Sequence, residues 1–331
     1  MKLSILDQAP ISSGQSAKEA LNATVELAQH AERLGYERFW VAEHHDLYGL
    51  ASPNPAVMLG IIGAQTEKIR IGAGAVLLPY YKPFHIAETY NLLETLYPER
   101  IDIGLGRAPG GSAEVSMALS DNYLEGVRHY PDAVESLRQF LHDDHPTSHT
   151  FHKINPTPIP DASPEMWVLG TSEKSALLAA EKGMYYSFAD FMTDTDGPEI
   201  VQTYRDKFKE NHNGVPYVIV AVNVICASTN EEAEKLAKSQ FIWKLKQDKQ
   251  NSDTTVPSVK NAEEYVLDEE EQEKVKKMKQ SMVIGNPEYV AEQLHNTQQK
   301  YQADELMLIT ITHDKKAKQR SYTLIQEELK K

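Results

Sequence analysis

Arg38-Phe39-Trp40-Val41-Ala42-Glu43-His44-His45-Asp46 opens as an aromatic and β-branched run and ends in four consecutive ionisable residues. A run of this kind bounded by charge predicts a buried strand whose last residues emerge at one end of a sheet. If the sheet is a barrel of parallel strands, polar residues at the carboxyl end of a strand sit where active sites form, while interior positions only pack. Adjacent histidines alone also fit a helix cap, an idle surface pair or metal ligands. The flanking segments therefore carry the decision.

Upstream, Leu3 to Gln8 reads as a first strand, followed by a helix with Ser16 as N-cap and Gly35 as C-terminal cap. Downstream, Ala56 to Thr66 reads as an apolar helix and Ile69 to Pro79 as a third strand. Glycines inside that strand fit a bulge, or the close approach of a flat ligand. A helix over Pro83 to Tyr97 leads to a fourth strand, Arg100 to Gly111, with a glycine-rich exit and Arg107 at its rim. Arg107 fits a surface ion pair or a phosphate clamp, because a guanidinium fork matches phosphate oxygens.

Ser112 to Val127 reads as an excursion before a helix over Pro131 to His142, and His145 to Pro164 as a proline-rich loop. Strand five, Met166 to Gly170, turns through Thr171-Ser172 into a helix over Glu173 to Lys182. Two hydroxyls there serve as caps or, with the exposed amides and the dipole, as a phosphate site. Tyr185 to Ala189 and Tyr217 to Ala227 are the next strands, with helices over Glu199 to Glu210 and Asn230 to Gln247. A polar tract and a helix over Glu263 to Gln280 make 248–280 an insertion or lid between strands seven and eight. A helix to Tyr301, strand eight over Glu305 to Thr312 and a helix over Ala317 to Leu329 complete eight strand-then-helix units. The expectation is a (β/α)8 TIM barrel with insertions, one domain over 1–331. A doubly wound open sheet is the runner-up, but Asp7 to Gly14 lacks the glycine fingerprint expected after its first strand.

The 331 residues, 41% hydrophobic and 25% charged, suit such a barrel, and a net charge of −14 argues against a nucleic-acid or anionic-membrane surface. Partners should be small molecules or other proteins. The N-terminus runs directly into strand-like alternation without an export signal, and the single cysteine, Cys226, reads as a buried thiol inside a strand. A cytoplasmic location is expected. No metal site is expected, because no H-x-H or H-E-x-x-H spacing occurs.

Taken in order, Glu43-His44-His45, Gly72 to Pro79, the Pro83-to-Arg107 block ending in Gly-Leu-Gly-Arg, and Leu169-Gly170-Thr171-Ser172 resemble the bacterial luciferase-like flavin-dependent monooxygenases. The resemblance covers most of the chain. It implies a barrel that binds FMN at its carboxyl face, often as a homodimer, with reduced FMN supplied by a separate flavin reductase. Reduced flavin and dioxygen would then oxidise a small organic substrate through a C4a-hydroperoxyflavin. The resemblance puts the catalytic imidazole at His44, with Glu43 and His45 beside it. It places the flavin ring against Gly74-Ala75, where the family often has a non-proline cis peptide, and the phosphate between Arg107 and the Gly170-Thr171-Ser172 turn. Gly106 stands where luciferase has a reactive thiol, so neither light emission nor a long-chain aldehyde substrate is expected. Two alternatives share the fold: F420-dependent hydride transfer and a non-catalytic flavin-binding protein. Tyr80, Tyr81, Tyr123, Trp167 and Phe191 line the substrate side or belong to the core.

Overall fold

A computed structural model describes residues 1–193, 195–210, 214–249 and 254–331. Its strands are β1 Lys2–Asp7, β2 Arg38–Val41, β3 Arg70–Leu77, β4 Ile101–Gly106, β5 Glu165–Gly170, β6 Tyr185–Ala189, β7 Val218–Cys226, β8 Met282–Gly285 and β9 Glu305–Ile309. The helices are α1 Ala17–Leu34, α2 Pro55–Ala64, α3 Pro83–Leu96, α4 Ala113–Leu119, α5 Tyr123–Arg128, α6 Tyr130–His142 and α7 Glu173–Glu181, then α8 Gly197–Lys207, α9 Asn230–Asp248, α10 Val259–Glu263, α11 Glu269–Gln280, α12 Pro287–Tyr301 and α13 Lys315–Leu329.

Every strand pairing is parallel. From β1 to β7 each strand pairs with the next, β7 pairs with β9, and β9 returns to β1. The sheet is therefore a closed eight-stranded barrel, the (β/α)8 architecture expected from the sequence. Parallel closure sends all carboxyl ends to one mouth, which is what lets residues far apart in the chain share a site.

Several boundaries differ from the sequence reading, each for a local reason. Met282–Gly285 is a strand beyond the eight expected from the sequence; Asn223 pairs with Ile309 and with Met282, so β8 occupies the β7 edge that β6 leaves after Ala189. The helix expected over Glu263 to Gln280 begins only at Glu269, where Asp268 and Glu271 form a capping box, and α10 ends at Glu263 before it. The excursion over Ser112 to Val127 holds two short helices, α4 and α5, capped by Ser112 and Asn122. Of the expected insertion or lid over 248–280, residues 250–253 lie outside the described residues; Val256 beyond them exchanges backbone hydrogen bonds with Ile11 and Ser13. The helix ends read from Ser16 and Gly35 hold: Ser16 and Glu19 form a capping box, and Gly35 takes φ 82° with its N–H on the last carbonyls.

Two apolar clusters hold the barrel. One lies between sheet and helices, with Phe39, Tyr90, Val168 and Tyr322 fully enclosed. The other fills the barrel interior around Trp40 and Trp167, whose rings meet edge-on at 5.4 Å. Gly72 makes room for this: a Cβ there would come within 2.7 Å of Trp40 Nε1 and 2.6 Å of Asp102 Cβ.

The amino end of the barrel is closed by charge. Asp102 Oδ2 accepts from Arg38 Nη1 at 2.9 Å and from Trp40 Nε1 at 2.8 Å, and its Oδ1 accepts from Arg70 Nη2 at 2.7 Å. Glu305 accepts from Arg38 Nε at 2.8 Å, from the Tyr217 hydroxyl at 2.9 Å and from the Ser4 hydroxyl. Burial alone would raise the Asp102 carboxyl, but Arg38 and Arg70 outweigh it and hold the group below its ordinary value. Asp102, Glu305, Arg38 and Arg70 all have charged or hydrogen-bonding partners here, so the network sets strand positions.

Candidate active site

At the other mouth β2 gives way to Ala42-Glu43-His44-His45. The His44 N–H donates to the Ser52 carbonyl at 3.1 Å and the His45 N–H to the Gly110 carbonyl at 2.8 Å, which pins the segment between two loops. Glu43 is buried, 4% exposed. Its Oε2 accepts the Leu77 N–H at 3.1 Å, and its Oε1 accepts the Tyr81 hydroxyl at 2.7 Å and lies 2.9 Å from His45 Nε2. This carboxylate ties the end of β2 to the end of β3. With both oxygens engaged it has little capacity left for a substrate.

His44 is different. Neither ring nitrogen has a hydrogen-bond partner among the described residues, and Nδ1 is buried. Burial pulls the imidazole down to about 4, and the adjacent His45 adds to the shift. At pH 7 the ring is therefore neutral, and a proton placed on it has no carboxylate to hold it there.

His44 lines a cavity of about 600 Å³ at the carboxyl mouth, within the roughly 300–1,000 Å³ usual for cofactor and small-molecule sites. Of the residues singled out from sequence, Glu43, His44, Gly74, Ala75, Arg107, Gly170, Thr171 and Ser172 all line it. His45 does not: it stands beside Glu43, its ring edge-on to Tyr80 at 5.9 Å. The Gly74-Ala75 peptide is cis, at the position the resemblance indicated. The pairing passes from Gly74↔Gly104 to Val76↔Leu105, so Ala75 is the extra residue of a bulge at the cavity wall.

Arg107 leaves the end of β4, exposed, with Nη2 3.4 Å from Ser172 Oγ. Ser172 caps α7, its Oγ accepting the Ser175 N–H. A guanidinium beside the positive end of a nine-residue helix forms a cradle for an anionic group. The Tyr123 hydroxyl fixes the Arg107 backbone by donating to its carbonyl at 2.7 Å.

Of the five aromatic candidates, only Phe191 lines the cavity. Trp167 is fully buried against Trp40, Tyr81 serves Glu43, and Tyr80 and Tyr123 face each other at 5.1 Å. The sequence reading missed a wall of the cavity, the α9 stripe Gln240, Trp243, Lys244 and Gln247. Their spacing of three, four and seven marks one helix face, but polar and apolar residues mix on it, so no clean amphipathic signal sets it apart. Trp243 Nε1 donates to the Thr254 carbonyl at 3.0 Å, and a Cβ at Gly49 would come 3.0 Å from that nitrogen, which places this face against the loop after β2. Among the described residues no helix is long and apolar enough to cross a membrane.

The luciferase-like monooxygenase family model matches residues 1–303, so the chain belongs to that family. It is 41% identical to the Bacillus subtilis (strain 168) protein YceB over 98% of both chains. It is 36% identical to the N-acetyl-S-alkylcysteine monooxygenase of the same organism, over 99% of this chain and 98% of that one. The crystal structure of apo-MsnO8 superposes with a TM-score of 0.88 at 32% identity, covering 99% of this chain and 98% of the other.

Proposed function

We propose that this oxidoreductase is an FMN-dependent monooxygenase that oxidises a small organic substrate at His44. The observation that carries the reading is a neutral, unpartnered imidazole in the same cavity as a guanidinium set at a helix N-terminus. The residues present fit the cofactor. Arg107, Thr171 and Ser172 would hold its phosphate, and the bulged Gly74-Ala75 segment would back its ring. Reduced FMN, delivered by a separate reductase, would supply two electrons and, with dioxygen, the oxygen atom that reaches substrate while the other leaves as water.

The protein's share is placement, dryness and one proton. His44, neutral at pH 7, takes a proton at a ring nitrogen while charge develops at the reacting centre and returns it as the step completes. Its depressed basicity means that the protonated ring is short-lived. Glu43 and His45 act as positioning residues: Glu43 fixes the β2 and β3 ends on either side of His44, and His45 braces Glu43. The apolar interior around Trp40 and Trp167 excludes water from below. The name of the 36% identical relative supports a thioether-bearing acid as the first substrate class to try.

Anaerobic titration with photoreduced FMN, read by flavin fluorescence, followed by oxygen uptake in the presence of N-acetyl-S-methylcysteine, tests the reading. Saturable binding and substrate-dependent oxygen uptake are expected. Binding of reduced F420 in place of reduced FMN, with no oxygen uptake, would move the assignment to hydride transfer on the same scaffold.

A further inference from the structure

The cavity holds a second cation that the flavin reading does not use. Lys244, on the α9 wall, lines the cavity and makes no ion pair or hydrogen bond among the described residues. One helical turn before it, Gln240 lines the same cavity, is 1% exposed, and has a buried Oε1 that no donor reaches. Residues four apart on a helix are neighbours on its surface, so Gln240 and Lys244 stand one turn apart on the α9 face that lines the cavity. A buried acceptor without a donor and a half-buried ammonium that makes no ion pair both cost free energy until a ligand supplies the missing partners.

We infer that Lys244 and Gln240 form a substrate-recognition subsite for a carboxylate with a neighbouring N–H donor, the chemistry of an N-acylated amino acid. This rests on the monooxygenase reading for what happens to the ligand afterwards, but not for its binding. The carboxylate takes the Lys244 ammonium, and the N–H takes Gln240 Oε1. Arg107 is engaged at the other anion site, beside Ser172, so two cations serve two anions in one cavity. The desolvation of the Lys244 amine agrees with this: burial pulls it below its ordinary value and Asp248, on the next turn, offsets that only in part. A partly dry ammonium discriminates more strongly for charge than one in open water.

The test uses FMN-saturated protein and three probes: N-acetylmethionine, its methyl ester, and γ-methylthiobutyrate, which keeps the acid and lacks the amide. Calorimetric titration of wild type should bind N-acetylmethionine at least about tenfold more tightly than the ester, as a charge-assisted hydrogen bond implies, and several-fold more tightly than γ-methylthiobutyrate. Lys244→Met, which keeps the chain length and the packing, should abolish the preference for acid over ester. Lys244→Arg should retain most of it, and Gln240→Glu should abolish it by supplying an internal carboxylate. FMN affinity, measured separately by fluorescence, should be unchanged in Lys244→Met. The inference is overturned if wild type fails to bind the acid, if the acid preference survives in Lys244→Met, or if that preference disappears in Arg107→Gln and not in Lys244→Met. A loss of FMN affinity in Lys244→Met would overturn it too, by assigning the lysine to the phosphate. Failure of the flavin reading has a different signature: no FMN binding by any variant, with the acid preference intact in wild type titrated without FMN.

Discussion

Strand β2 carries buried charge at both of its ends, and the two ends treat it in opposite ways. At the amino end Arg38 is saturated by Asp102 and Glu305, and Arg70 and Tyr217 complete the layer. At the carboxyl end, five residues on, Glu43 is equally saturated, yet the ring of His44 next to it has no hydrogen-bond partner among the described residues. Burial of polar groups is common to both ends. What separates a structural plug from a reactive site is whether the hydrogen-bonding capacity is spent inside the protein or left for a visitor.

The sharpest way to break the comparison is His44→Gln. If the free imidazole is the proton carrier, turnover should fall by about 10²–10⁴-fold, the usual worth of a general acid–base group, while FMN affinity stays within about twofold. Steady-state oxygen uptake and flavin fluorescence on the same preparation check both halves. A variant with near-normal turnover would leave the unpartnered histidine without a role.

Asp102→Asn should do the reverse. It leaves Arg38 and Arg70 buried opposite a neutral amide, which should cost about 3–5 kcal/mol in urea unfolding, the usual result of breaking a buried pair from one side. Turnover per folded molecule should be little changed. A loss of activity without a loss of stability would mean that the two ends are coupled through the strand.

Acid titration sharpens the contrast at His44 itself. In the unfolded chain this histidine binds a proton below about 6.5, whereas in the folded protein it does so only below about 4. The unfolded state therefore carries more protons between those values. Wild type should lose stability relative to His44→Gln as pH falls from 6.5 toward 4, by up to about 3 kcal/mol, with no difference between the two at pH 8. Thermal melts of both proteins across that range decide it. The smallest effect expected is at the rim: Arg107→Gln should weaken FMN binding about tenfold through one lost charge-assisted contact and leave the melting temperature unchanged, since the side chain is exposed.

Parts of this comparison were legible in the chain and parts were not. His44 could be picked out because a strand pattern ran into it, and Arg107 and Thr171-Ser172 because glycine and hydroxyl residues marked the strand exits. The saturation of Glu43 was invisible, since its partners Leu77 and Tyr81 arrive from β3 and the turn beyond it. His45 is adjacent to His44 in sequence, but side chains alternate along an extended chain and the two point into different surroundings. Gln240 and Lys244 carry no signal in the sequence for a similar reason. Nothing local distinguishes a helix face that covers a cavity from one that faces solvent.

The sequence by itself determined the alternation of strands and helices, the caps at Ser16 and Gly35, and the polar residues waiting at the strand ends. These follow from periodicity and short-range hydrogen bonding, which neighbouring residues settle among themselves. Only the tertiary structure decided which of those polar groups were satisfied. That depends on barrel closure, which brings β9 beside β1, β3 beside β2 and α9 to the mouth, and so gives Arg38 and Glu43 their partners while leaving His44 Nδ1 and Gln240 Oε1 without a hydrogen bond among the described residues.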